Sequence, residues 1–255
     1  MITAVFNTIF FQPILNLLVW LYVTLPGQDI GIAIIVLTFI IKLVLYPLTH
    51  LQIKQQRAMQ GIQPKIEEIR ARLKDDKEKQ AAELMSLYQK EKVNPAASCL
   101  PLLVQLPVFI ALYHALSVGL ASQGLNQLYP FVPNPQTIQT MFLGLFDLTK
   151  PNYILAIAAA LVQFWQTRMI LKPPAATVMA PPPEVANSKG AKDESMTAIM
   201  NKQMTYMMPI MTAVIGFSLP GGLTLYWLVM SLLTVAQQYI VMRRTPPKME
   251  PQLGN

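Results

Sequence analysis

The stretch IGIAIIVLTFIIKLVLYPL, residues 30–48, decides the fold. It is close to the roughly 20 apolar residues that a bilayer crossing takes, and it holds one charge, Lys42. A cation inside a span costs about 2.5–3.5 kcal/mol on insertion scales. At a rise of about 1.5 Å per residue, Lys42 lies some two-thirds of the way across. Two readings follow. The long side chain snorkels to the nearer headgroups, or it faces a polar, water-filled groove inside a membrane protein.

Working outward, the 255 residues are 53% hydrophobic and only 13% charged, which indicates a multispan membrane protein rather than a soluble domain. Five spans are predicted, at 29–49, 96–120, 152–171, 203–219 and 222–242. Pro101 and Pro107 in the second are tolerable where neighbours satisfy the freed carbonyls. Residues 1–28 precede the five-span core; 5–24 are read as a helix lying in the interface, with a tilted span as the alternative, ended by Pro26-Gly27. They lack the basic flank of a cleavable signal.

The net charge of +7 is one-sided. Residues 1–41 contain no Lys or Arg, whereas 54–92 contain ten, and Lys172, Lys189, Lys192, Lys202, Arg243, Arg244 and Lys248 fall between the third and fourth spans or after the fifth. Such a balance reads as topology and lipid-leaflet contact, not nucleic-acid recognition. It puts the N-terminus outside and the C-terminus, with the tail 246–255, in the cytoplasm.

The cytoplasmic segment 50–94 carries Ile62, Ile66, Ile69 and Leu73 at helical spacing, Pro64 at a first turn, Asp75 and Asp76 as cap candidates, then Leu84, Met85, Leu87 and Tyr88. That pattern predicts an αα-hairpin standing off the membrane. Residues 173–195, rich in Pro, Ala and small polar residues, read as a disordered linker. The fold class is therefore all-α, with a five-span helical core, a cytoplasmic αα-hairpin and an N-terminal interfacial helix.

No GxSxG, HExxH, phosphate loop or Cys/His metal spacing occurs, so no catalytic group, metal or cofactor is assigned and the chain does not read as an enzyme. His50 and His114 read as packed or interfacial. Cys99, the lone cysteine, reads as a packing residue. Met196, Met200, Met204 and Met208 recur every fourth residue, with Met207 and Met211 beside them; the stripe suits either helix packing or a deformable apolar surface. Polar residues recur inside the spans: Thr38 one turn from Lys42, Gln105, Gln163, Gln166, Thr167, Thr205, Thr212, Thr224, Ser231, Thr234, Gln237 and Gln238. They read as interhelical hydrogen bonds or as the wall of a hydrated groove.

The runs LTFIIKLVLYPLT, QPKIEEIRARLKDD, LYQKEKVNP and LPLLVQLPVFIALYHAL, followed by YMMPIM and LPGGLTLYWLVMSLLTVAQQYIV, resemble the YidC/Oxa/Alb membrane insertases over about residues 10–245. The resemblance implies insertion of substrate helices from the cytoplasm into the bilayer of a bacterial plasma membrane, without nucleotide hydrolysis. It implies a hydrophilic groove open to cytoplasm and lipid but closed outside, formed here by Lys42, Thr38, Gln105, Gln163 and Gln166, with Tyr226 and Trp227 on the apolar face along which a substrate slides, unless these aromatics instead anchor the outer membrane interface. Implied partners are nascent membrane proteins and lipids, with the ribosome, signal recognition particle and Sec translocon as candidates. One departure stands out: the family's groove cation is usually arginine, and the matching residue is Lys42. The competing assignments are a small transporter or channel centred on Lys42, against which stands the lack of a second copy of its segment, and a membrane scaffold using the hairpin and the basic tail without translocation activity.

Overall fold

The structure is a computed structural model that describes residues 2–94, 100–120, 125–171 and 206–244. Cys99, the linker at 173–195, Met196, Met200, Met204, Thr205 and the tail 246–255 lie outside the described residues. Among the described residues the architecture is all-α apart from one short β-hairpin. Its helices are α1 (Ile2–Phe6), α2 (Gln12–Thr24), α3 (Ile30–Val44), α4 (Tyr46–Gly61), α5 (Gln63–Arg72), α6 (Lys77–Lys90), α7 (Leu100–Leu120), α8 (Tyr153–Leu171), α9 (Tyr206–Gly216) and α10 (Gly221–Arg244). The hairpin strands are β1 (Met141–Phe142) and β2 (Phe146–Asp147), antiparallel.

The first two helices form one continuous run through a π turn, Asn7–Phe11. Pro13 cannot donate to the carbonyl a turn earlier, and the helix passes this point through the widened turn. Rather than presenting two similar faces, the run buries Phe11, Leu15, Leu18, Val19 and Tyr22 against α3 and α7. It is also anchored by polar bonds: Asn16 Oδ1 accepts from Tyr129 N at 2.5 Å, and Tyr22 Oη accepts from Gln139 N at 2.9 Å. By length and composition, Thr3–Thr24 is able to cross a bilayer, as is Gly221–Val241, and α3 with α4 adds a third if that bent pair counts as one span. Helices α7 and α8, of 21 and 19 residues, reach about 31 and 28 Å, the scale of a bilayer core. Of the span expected at 203–219, residues 206–219 are described, and α9 ends at Gly216.

Helix α3 opens on Asp29, whose Oδ1 accepts from Gly31 N at 2.7 Å and Ile32 N at 3.1 Å, capping two of the orphan donors. It does not continue straight to residue 49. The chain bends by 67° between Val44 and Tyr46, because Pro47 disfavours helical continuity through the residues before it. The expected boundary at 49/50 thus falls inside α4.

The central packing joins α2, α3, α7 and α10 through Leu15, Leu18, Ile34, Leu37, Leu112, Leu116 and Leu223. Small residues let the helices approach: a Cβ on Gly222 would sit 3.3 Å from Ile34, and one on Gly216 would sit 2.9 Å from the Cβ of Ala156. Helix α8 packs chiefly along α10.

The expected αα-hairpin is present as α5 and α6. Ile62, Ile66 and Val93 are buried together, with Met59, Leu84, Leu87 and Tyr88 packed around them, in a cluster separate from the main core. Asp76 caps α6, accepting from Lys79 N at 3.0 Å. That backbone N–H, then the Lys79 ammonium, hold its carboxyl below the usual range. Lys65–Glu91 at 2.6 Å and Arg72–Glu83 pair across the two helices. These pairs are exposed and contribute little beyond register.

Candidate functional site

Lys42 lies in the last turn of α3, only 8% exposed, and its Nζ donates to Thr234 Oγ1 of α10 at 2.9 Å. Among the described residues no carboxylate stands within ion-pair distance of it. The Thr234 hydroxyl donates onward to Met230 O at 2.7 Å, so it accepts from the lysine while satisfying its own helix. Helix spacing explains why α10 receives the charge. Ser231, Thr234 and Gln238 fall at i, i+3 and i+7 on one face, with Gln237 beside them.

The polar seam continues towards α4. The Gln237 side-chain amide lies against the Thr49 hydroxyl, with Nε2 at 2.9 Å, and Arg57 Nη1 donates to Val241 O at 3.4 Å. Three polar atoms in this region, His50 Nδ1, Gln55 Oε1 and Gln238 Oε1, are buried without a hydrogen-bond partner among the described residues. An unsatisfied buried acceptor costs about 1–3 kcal/mol. Their concentration on α4 and α10 marks a region built for polar company in an otherwise apolar bundle.

The other sequence-derived residues divide. Thr38 is fully buried on the Lys42 side of α3, but its hydroxyl donates to Ile34 O at 2.6 Å. Gln105 and Tyr226 are brought together, the amide donating to the phenol oxygen and joining α7 to α10. Tyr226 is 2% exposed, whereas Trp227 is half-buried and stands edge-on to Phe109 at 6.1 Å. Gln163 and Gln166 are half-buried on α8 and make no side-chain hydrogen bond with Lys42. His114 is exposed. The partner that sequence reasoning left unchosen is Thr234, which stood among a dozen polar span residues. The face it shares with Ser231 and Gln238 was the available signal.

A buried, carboxylate-free lysine on a polar helix seam, in a bundle of apolar helices with a separate charged hairpin, defines an integral membrane protein with a polar interior. Comparison with known proteins agrees. The chain matches the family described as 60Kd inner membrane protein over residues 20–248 and belongs to it. Its relatives include the protein named Membrane protein insertase YidC of Oceanobacillus iheyensis, 34% identical over 245 residues, covering 93% of this chain and 84% of that protein. The protein of the same name from Fusobacterium nucleatum is 33% identical over 216 residues, covering 85% and 87%. Against the one from Anaeromyxobacter sp. strain K, 34% identical over 253 residues, the chain covers 39% of the relative's length. The protein is thus an all-α bacterial inner-membrane protein of this insertase family.

Proposed function

We propose that this chain is a membrane protein insertase that moves substrate helices from the cytoplasm into the bilayer through the polar seam at Lys42, without nucleotide hydrolysis. The observation that carries the reading is the buried Lys42, held by a neutral hydroxyl rather than by a carboxylate. A cation so placed keeps its attraction for an acidic substrate segment, because no carboxylate among the described residues neutralises it. The orphaned polar atoms on α4 and α10 support the same reading. They suit water or the N–H groups of an extended substrate, and a wet seam shortens the hydrocarbon path that a polar segment crosses. Release into lipid then follows from burial of the substrate's own apolar helix, at about 25 cal/mol per Å².

In this reading the N-terminus faces outward, and the αα-hairpin and C-terminus lie in the cytoplasm, where the basic residues concentrate. Thr38, Gln105, Gln163 and Gln166 line the polar path, and Tyr226 and Trp227 border the apolar face. Substrates are nascent membrane proteins; the ribosome, signal recognition particle and Sec translocon are candidate partners at the hairpin.

Reconstitution of the purified protein into liposomes tests this. A single-span substrate with an acidic translocated tail should become protease-protected without added nucleotide. Solute flux without substrate protection would favour a transporter and refute the reading.

A further inference from the structure

The Asp29 carboxylate does two jobs. Its Oδ1 caps α3, and its Oδ2 accepts from Leu143 N at 2.6 Å, 114 residues along the chain. Leu143 is the first residue of the β-hairpin tip and adopts φ 52°, followed by Gly144 at φ 69°. This left-handed pair is disfavoured for leucine, and it turns the Leu143 N–H towards α3. Next to the cap, the Phe142 ring occupies the space a Cβ on Gly31 would take, so only glycine admits the hairpin this close.

The other side of the hairpin grips α10. Gly222 N donates to Leu148 O at 3.0 Å and Gly221 N to Lys150 O at 2.9 Å. Asp147 shapes this exit. It accepts from the Thr149 hydroxyl at 2.7 Å and backbone at 3.0 Å, and it pairs with Lys150 at 3.3 Å. The Thr149 bonds, hydroxyl first, hold its carboxyl below the usual range. The hairpin therefore ties the starts of α3 and α10, the two helices that meet again at Lys42 and Thr234.

We propose that Asp29 is a positioning residue: through Leu143 it clasps the hairpin onto α3 and α10, holding their outer ends together and keeping the Lys42–Thr234 seam closed to water from the outer side. This rests on the proposed orientation and on the seam as the substrate path, and both are separable from it by experiment. Asp29→Asn is the selective variant. Its remaining oxygen still caps Gly31 and Ile32, but its amide cannot accept from Leu143 N. Gly31→Ala attacks the clasp from the opposite direction, keeping the carboxylate and displacing Phe142.

The test places a reporter cysteine at Thr38 in a Cys99→Ser background and adds a membrane-impermeant maleimide to intact cells. Position 38 should be protected when Asp29 and Gly31 are present. Asp29→Asn and Gly31→Ala should each raise its labelling about tenfold, the population shift equivalent to about 1.4 kcal/mol. A cysteine at Leu18, fully buried on α2, should stay protected in both variants. Unchanged protection at 38 in both variants overturns the clasp, as does an equal rise at 38 and 18, which would make Asp29 a general stabiliser. A cysteine at Leu145, 72% exposed at the tip, reports orientation: labelling only in inverted vesicles refutes the proposed topology and, with it, closure from the outer side. Increased labelling at 38 with unchanged insertion by the reporter-free variants would support the clasp while removing the seam from the substrate path.

Discussion

Replacing Lys42 with methionine is expected to make the protein more stable and less active. The lysine is almost fully buried, and its amine has one hydrogen-bond partner among the described residues, Thr234. A cation in a span costs about 2.5–3.5 kcal/mol, and a hydrogen bond involving a charged group returns about 1.5–3 kcal/mol. The balance leaves a net destabilisation of about 1 kcal/mol. Methionine removes the charge, fills much of the same volume and leaves no orphan, because the Thr234 hydroxyl already donates to Met230 O. Thermal unfolding in detergent should rise by about 2–4 °C, the shift 1 kcal/mol gives in a chain of this size. Function should move the other way. A substrate carboxylate 4 Å from the ammonium gains about 4 kcal/mol at an effective dielectric constant of 20. If about a third of that survives desolvation, its loss slows insertion of acidic-tailed substrates about tenfold. Substrates with neutral tails should be far less affected, and Lys42→Arg should retain insertion. The assay is protease protection in proteoliposomes, run beside the melting curve. Wild-type insertion by Lys42→Met, or a melting temperature several degrees lower, would show that the lysine is a structural strut and refute the reasoning.

The αα-hairpin should behave as a separate cooperative unit: Ile66→Ala, in a cluster apart from the main core, should cost the hairpin about 2–4 kcal/mol, seen as faster amide exchange in α5 and α6 with α3 and α10 unchanged. A cysteine at position 79 should resist impermeant reagents in intact cells and label in inverted vesicles; outside labelling would reverse the proposed topology. Photo-crosslinkers at 227 should capture a stalled substrate's apolar helix more strongly than those at 226, because the Tyr226 ring is enclosed and its hydroxyl is engaged by Gln105. Equal capture at both positions would mean that α7 and α10 part when substrate enters.

Lys42 was legible because a lone charge in an apolar run is conspicuous, and the αα-hairpin because Ile62, Ile66 and Ile69 repeat at helical spacing among charges. Pro47 was visible too, but whether a proline kinks a span or merely sits in it depends on what packs around it, and the bend at Leu45 is a tertiary outcome. The N-terminal helix was placed by composition; its buried face depends on α3 and α7, which no local pattern names. Asp29 before an apolar run is an ordinary capping signal, yet its second oxygen reaches Leu143 across 114 residues. Residues 141–147 are too short and too uniformly apolar to announce a hairpin by alternation. Thr234 could be placed on a polar face of α10, but only packing turns that face towards Lys42.

The elbow between α3 and α4 has a mechanical consequence. Below Leu45, α4 is an arm of 16 residues, about 24 Å long, carrying the αα-hairpin at its far end. Polar struts tie this arm to α10, among them Thr49 to Gln237 near the pivot and Arg57 to Val241 O nearer the tip. A rotation of about 5° at the pivot displaces the tip by roughly 2 Å and Arg57, about 18 Å out, by roughly 1.5 Å, enough to stretch the outer strut, 3.4 Å at rest, beyond hydrogen-bonding distance. The bearing of the hairpin is therefore set by α10 as much as by the bend. A displacement of α10 at the Lys42 seam would be delivered, amplified by leverage, to the charged hairpin at the other end of the arm.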